Sequence, residues 1–578
     1  MIDRWIVDND PSRAYPLYTR GNVGEVFPLP VTPLTWTLGA VPACEAGWRD
    51  AFERFGAFDR SEFADDAIEI LGCFGGYAYL NVSVSRILGV RTPGLTPEQV
   101  DYSFWGEMPG IRPYRARPGD EAPERTEAVE RTLAWILSAP DLDELRDDQA
   151  AVAQLRARRP DFDAMAPGEI TAWLRAIVPE LRRLFAAHIF VSYCSTVPLG
   201  MIQAACDSFG EPTLAMRLVA GIGDVDSAAP SAALWELGRL VAGSASLTAA
   251  FDEGVAGLAD RIRARALRSD PDAAELCARF EEFLYAFGSR GPNEWETSSP
   301  SWETSPDLAL AAVDRMRLAG DDAAPRSHMA ALVADREALG AQVLDRLAAD
   351  PGAQARTAAA LRAAPVFLAG RERTKTTVIR LVNEMRVASY AFGRRYLAAG
   401  VFERIDDYAM LLDSELEAFV GDPEAFAGEI RSRRREYESL FDLEPPFVID
   451  GEVPPLRTWA RVGRRPETVA AGTTLAGIPG CPGSAKGRAR VILDPTDPSA
   501  LEPGDVLVAP ITDPAWTPLF VPAAAVVVDV GAQISHAVIV SRELGIPCVV
   551  SVTDATRRIP DGAMVTVDGT AGTVTVEA

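Results

Sequence analysis

Three histidines occur in 578 residues, and one of them, His536, stands where an apolar run over 525–529 gives way to a helix-forming run that begins at Ala537. Such a junction suits phosphoryl chemistry. The first N–H groups of a helix are unpaired, and its dipole favours negative charge at that end. A neutral imidazole placed there is a competent phosphoryl acceptor near pH 7, and its P–N bond stays reactive enough to pass the group on. The plain alternative is a histidine that only caps its helix. Arg371 and Lys375 are four residues apart and share a helix face, offering a guanidinium fork and a point charge to one phosphoryl group. With Glu372 between them, the same run also reads as a solvated ion-pair helix. Asp406 and Asp407 read as a base, as a magnesium ligand, or as the acidic start of a helix. His188, beside Leu184, Phe185 and Phe190, reads as a core or pocket-lining residue, and His328 has no partner evident in the sequence.

The elements that must position these groups change in texture along the chain. Over 151–159, 170–187, 308–318, 329–348 and 376–397, apolar residues recur at three- and four-residue spacing with Arg and Glu opposite, which predicts amphipathic helices. Turn-forming clusters such as Pro28 to Pro30, Pro109-Gly110 and Ser298 to Pro300 separate them. From about Gly472 onward, short β-rich runs (489–493, 505–509, 525–529, 564–568 and 572–576) alternate with Gly/Pro/Asp turns, and one helix over 537–544 interrupts them. Three parts follow: a mainly helical region 1–442, a Pro-rich tether 443–472, and a compact β/α domain 473–578. Paired prolines stiffen the tether while Gly and polar neighbours leave hinge points; an ordered crossover fits the composition equally.

The string from Gly531 through Ser535-His536-Ala537, Ser541-Arg542-Glu543 and Gly545-Ile546-Pro547-Cys548-Val549-Val550 resembles the swivelling phosphohistidine domain of the phosphoenolpyruvate-utilising enzymes. Val530 stands where the shared pattern has its first glycine, and Cys548 where it usually has alanine. The resemblance covers the whole C-terminal domain and implies a multidomain fold in which a mainly α-helical substrate-binding region precedes a C-terminal β/β/α phosphohistidine swivelling domain. It makes His536 the phosphoryl carrier, exposed at a helix N-terminus, with Ser535, Arg542, Trp516 and Thr517 in support. The last two belong to Thr512-Asp513-Pro514-Ala515-Trp516-Thr517-Pro518, which resembles a loop of the same family.

Further islands lie upstream: Asn22 to Trp36; Phe287 to Glu296 with Trp302-Glu303; Gly370 to Lys375; and Gly400 to Asp407. Together they resemble the substrate region of the rifampicin phosphotransferase group. Ser289 stands where that group's loop has histidine. The resemblance implies catalytic roles for Arg371 and Lys375 beside His536, and substrate binding by Arg290, Glu294, Trp295, Asp406 and Asp407. An apolar pocket is expected among Trp36, Tyr77, Trp105, Trp235 and Trp295, unless these aromatics are simply core.

Composition excludes several classes. A net charge of −25 argues against nucleic acid or an anionic membrane as partner. Seven cysteines without a Cys-x-x-Cys pair, and only three histidines, argue against a zinc or iron–sulfur site, so no metal is expected on this chain. No apolar run of about eighteen residues stands out and the start is acidic, which predicts a cytoplasmic protein without a membrane span. Neither an ATP-grasp module nor a phosphoenolpyruvate barrel is evident in the sequence. The expected activity is therefore that of a phosphotransferase component: a separate ATP-grasp-type protein charges His536 with a phosphoryl or pyrophosphoryl group, and a hydroxylated organic acceptor receives it. Mg2+ acts with that partner, ATP enters only through it, and no cofactor is held tightly here. Two other readings stay open, an ATP-independent lyase or dehydratase with His536 as acid or base, and a regulatory binding protein.

Overall fold

The computed structural model describes residues 3–577 apart from 107–110, 212, 223–225, 227–228, 268–269, 321–323, 325–328, 463–467, 495–500, 514–515 and 533–534. His328, Pro109-Gly110, Arg465-Pro466 and part of the 512–518 loop therefore lie outside the described residues. The chain divides into two compact units, both assembled from separate stretches: Met1–Val197, Trp295–Ser299 and Arg373–Arg464 form one, and Pro198–Glu294, Pro300–Glu372 and Arg465–Ala578 the other. Two long helices, Pro167–Ser208 and Pro351–Ala398, contribute residues to both.

The first unit is mainly helical but contains a four-stranded antiparallel sheet in the order Leu71–Phe74, Tyr77–Asn81, Leu17–Thr19, Val448–Asp450. Sequence periodicity did not signal it, because the three strands from the N-terminal part are buried at every position. Without a solvent face there is no alternation to read. The hairpin turn is Gly75-Gly76, with φ of 58° and 80°; two-residue hairpins of this hand need glycine at both positions. A methyl group on Gly75 would also strike Trp459 and Leu456.

Those two residues belong to the stretch expected to act as a tether. Leu443–Glu444 pairs with Ala460–Arg461, Val448–Asp450 closes the sheet edge, and Trp459 is buried with its ring 6.3 Å from Tyr77. The segment from 443 to 461 is thus an ordered crossover of the first unit. Its prolines stiffen a packed strand rather than a free linker.

In the second unit, the helices Ala229–Ala242, Ala245–Asp252, Leu258–Leu267, Pro271–Phe287 and Pro306–Leu318 precede the C-terminal domain. That domain is an eight-stranded mixed sheet in the order Thr474–Ala476, Thr573–Val576, Met564–Asp568, Ser484–Val491, Val506–Ala509, Ala525–Val528, Cys548–Val550, Ile478–Cys481. Its centre is parallel and its flanks antiparallel. The central strands are buried on both faces, hence their unbroken Val/Ala/Leu runs. One face packs a core confined to the domain; the other shares a continuous apolar cluster with the preceding helices.

One correction concerns apolar length. The helix Pro167–Ser208 contains an eighteen-residue window long and apolar enough to cross a membrane by composition, and 67% of that window is buried inside the fold. A core helix passes the same test.

Candidate functional site

His536 opens the helix His536–Leu544, directly after the N-cap Ser535, whose extended backbone (φ −70°, ψ 159°) breaks the chain's direction there. The imidazole is bracketed by two hydroxyls. Nδ1 lies 3.2 Å from Thr512 Oγ1 and Nε2 lies 3.4 Å from Thr517 Oγ1. One threonine then accepts from the ring N–H while the other donates to the lone pair, so either neutral tautomer is satisfied. Phe520 closes on the ring edge-to-face at 5.9 Å. The expected exposure is not found, for His536 is 6% exposed. Its cover comes from the short helix Thr517–Phe520, which packs against the helices Ala229–Ala242 and Pro306–Leu318.

Around the histidine, Trp516 and Thr517 are buried, and the Ser535 hydroxyl is buried without a hydrogen-bond partner among the described residues. Arg542 lies in the last turn of the helix, where a cation complements the dipole, 3.5 Å from the equally buried Glu543. Seven residues before His536, Asp529 accepts from the Thr556 N–H at 2.7 Å and the Thr556 hydroxyl at 2.5 Å. Burial pushes its carboxyl up to about 7 against those stabilising bonds. Ser551 donates to the Gly531 carbonyl at 2.6 Å. Burial likewise pushes the thiols of Cys481 and Cys548 up to about 12, which makes them poor nucleophiles.

Arg290 and Glu294 form a buried ion pair, one guanidinium nitrogen 3.1 Å from both carboxylate oxygens. Next to them, the backbone N–H of Asn293 donates to Asp513 Oδ2 at 3.0 Å. This contact joins the 287–294 loop to the segment that carries Thr512 and Thr517, two segments that sequence singled out separately.

In the first unit, Trp295 lines a cavity of about 30 Å3 with Leu34, Leu38, Leu181, Val382, Met385 and Ser389 among its walls. Phe185 meets the indole edge-on at 5.8 Å, and its Nε1 is buried without a hydrogen-bond partner among the described residues. His188 lies beside it at 6.2 Å and contacts the Thr374 hydroxyl at 3.1 Å. One wall is a π-helical stretch, Thr35–Glu45, whose wider turn replaces ordinary helix and has no periodicity signature. Of the aromatics expected there, only Trp295 reaches the cavity. Trp36 and Trp105 are core, Tyr77 donates to the Leu440 and Leu443 carbonyls, and Trp235 sits in the second unit under Arg239.

Arg371 and Lys375 lie one turn apart on Pro351–Ala398; Arg371 contacts Glu372, and Lys375 is half-buried. Asp407 accepts from the N–H groups of Glu403 and Arg404 and from Arg434 Nε, at 2.9, 2.8 and 2.9 Å. Asp406 pairs with Arg434 at 3.0 Å and Arg404 at 3.2 Å. The pair thus opens a short helix and anchors Arg434. Sequence reasoning gave no role to Glu296, which gathers the Thr32 N–H and the Thr32, Thr35 and Ser298 hydroxyls on one buried carboxylate. It ends the 287–296 island, and its own signal was an acid set among threonines and serines.

Residues 188–372 match the rifampicin phosphotransferase fourth domain, and residues 501–572 match the mobile domain of phosphoenolpyruvate-utilising enzymes. An uncharacterized protein of Mycobacterium tuberculosis is 28% identical over 579 residues, covering 97% of this chain and 62% of the relative. The rifampicin phosphotransferase of Streptomyces sviceus is 32% identical over 330 residues, 56% of this chain and 37% of that protein. The prodigiosin synthesizing transferase PigC of Serratia marcescens is 32% identical over 337 residues, 54% of this chain and 35% of that one. The chain thus spans about three fifths of the length of the first of these relatives. The fold agrees with the expected mainly helical region followed by a C-terminal mixed-sheet domain.

Proposed function

We propose that this chain passes a phosphoryl group from His536 to a hydroxyl of an apolar organic acceptor held in the first unit. The observation that carries the reading is a stripe on one helix. Arg371, Lys375, Val382, Met385 and Ser389 follow one another by 4, 7, 3 and 4 residues, and the last three line the cavity with Trp295. Helical spacing of this kind keeps one face. The two cations therefore lie upstream on the face that contacts the apolar group, with Lys375 about 10 Å along the axis from Val382. Seven residues at 1.5 Å each give that reach. The acceptor would carry its reactive hydroxyl at about that distance from the apolar end it buries. At about 30 Å3 the cavity admits only a small part of a ligand, since drug-sized sites run to about 300 Å3 or more, so the π-helical wall would have to widen.

In the transfer, an O–P bond forms on the acceptor oxygen while the P–N bond breaks and its electron pair returns to the imidazole nitrogen. The hydroxyl proton passes to solvent. Arg371 and Lys375 would oppose the charge that spreads over the equatorial oxygens of the transferring group. We propose in addition that an ATP-grasp-type protein, with Mg2+, charges His536. The test uses phosphoramidate as a small phosphoryl donor and rifampicin as the probe acceptor. Acid-labile label on His536, absent from His536→Asn, supports the carrier role; wild-type chain that never takes label refutes it.

A further inference from the structure

The loop between Arg290 and Glu294 contains a backbone conformation that side chains avoid. Asn293 has φ 50°; among the described residues the other non-glycine positions with positive φ are Ser551 and Asp554, in the turn after the mobile-domain strand Cys548–Val550. Asparagine tolerates this region better than most residues, yet it is held only where the surroundings demand it. Asn293 is 5% exposed, and its Oδ1 has no hydrogen-bond partner among the described residues. What the conformation achieves is the direction of one N–H, which donates to Asp513 Oδ2 at 3.0 Å. The Asp513 carbonyl accepts from the Trp516 N–H at 2.9 Å. Thr512 directly before Asp513 and Thr517 directly after Trp516 are the two threonines that bracket the imidazole.

The rest of the contact is apolar. Trp516, Leu519 and Phe520 share one buried cluster with Trp235, Trp302 and Met316. Apolar packing is non-directional, whereas a hydrogen bond to a carboxylate fixes register. We infer that Asn293 and Asp513 form a latch: by tying Asp513 to the 287–294 loop these positioning residues keep Thr512, Thr517 and Phe520 over His536, and their separation lets those residues move and uncovers the imidazole for charging. The inference rests on the phosphohistidine reading. It accounts for a carrier histidine that is only 6% exposed, since no donor reaches the ring while the latch is shut.

The test applies two reagents to the full-length chain and reads modification at His536 by peptide mapping. Diethyl pyrocarbonate acylates an accessible imidazole; phosphoramidate phosphorylates it, the new N–P bond forming as ammonia leaves. Asp513→Ala removes the acceptor and should react about tenfold faster than wild type with both, the order of one hydrogen bond to a charged group. Asn293→Pro lacks the N–H and cannot take φ 50°, so it should behave the same way. Asn293→Gly keeps the N–H and adopts the conformation freely, and should match wild type. Asp513→Ala and Asn293→Pro that stay folded by circular dichroism yet are acylated at the wild-type rate would overturn the latch alone. Should phosphoramidate fail on every variant that diethyl pyrocarbonate modifies, the phosphohistidine reading falls, and the charging gate with it.

Discussion

At the scale of single residues, the imidazole and its surroundings divide the chemistry between groups that act and groups that hold. His536→Asn preserves girth and one hydrogen-bonding edge beside the threonines but has no nucleophile. It should fold as wild type by thermal melting and lose acid-labile labelling and product together. Lys375→Ala keeps His536 and its bracketing hydroxyls, so labelling should persist while onward transfer falls by about a hundredfold, the scale of one lost transition-state donor; equal loss of both steps would place the lysine elsewhere. Asp529 makes a separate prediction through pH. Its carboxyl, usually near 3.8, is pushed to about 7 by burial, with Asp554 adding to the rise and Arg557 opposing it. Between those values the folded chain keeps a proton that the unfolded chain releases. Its contribution is therefore complete below about pH 4 and is lost as pH rises through about 7. Asp529→Asn should flatten that part of a melting-temperature profile, and an unchanged slope would exclude the assignment.

Individual elements show what patterning reveals and what it hides. The strand Met564–Asp568 and the helix His536–Leu544 lie within a residue of where turns and periodicity place them, because each is bounded by glycine, proline or aspartate. The amphipathic reading of 376–397 found the right helix but less than half of Pro351–Ala398; that helix carries Pro365 in its interior and polar residues on buried faces, so its pattern reads as broken. The π-helical wall and the fully buried hairpin were invisible for related reasons, since neither has a two-residue or 3.6-residue repeat with a solvent side. The C-terminal residues of the site were legible in sequence, whereas the cavity was not. A pocket drawn from aromatic count named five residues and kept one, because aromatics mark cores as readily as sites. Glu296 shows the cost of such buried polar order. Removing its carboxylate in Glu296→Ala leaves the Thr32 N–H and several hydroxyls unpaired, and should cost about 3 kcal/mol or more. Calorimetry that finds a near-neutral change would mean water replaces the acid.

Over the whole molecule, the division into two discontinuous units decides how the mobile domain behaves when it is cut free. One of its sheet faces encloses a core of Val506, Val508, Val527, Val549, Val565 and their neighbours, to which only Val469 is added from just before the domain. The other face, with Leu507, Val526, Val528, Trp516, Leu519 and Phe520, is completed by helices from the same unit. A domain excised as 473–578 therefore retains a closed core and should fold cooperatively. It must also bring Trp516 and Phe520 into water, and an apolar patch of that kind seeks a partner. The excised domain should accordingly show native-like strand signal by circular dichroism, bind the dye ANS, and associate at micromolar concentration in sedimentation. Adding phosphoramidate should label His536 in this fragment faster than in the full chain, because the helices that back Thr517–Phe520, the cover over the ring, are gone. A monomeric, dye-silent fragment labelled no faster than the intact protein would mean that Thr517–Phe520 holds its place over His536 unaided, and that the preceding helices do not gate it.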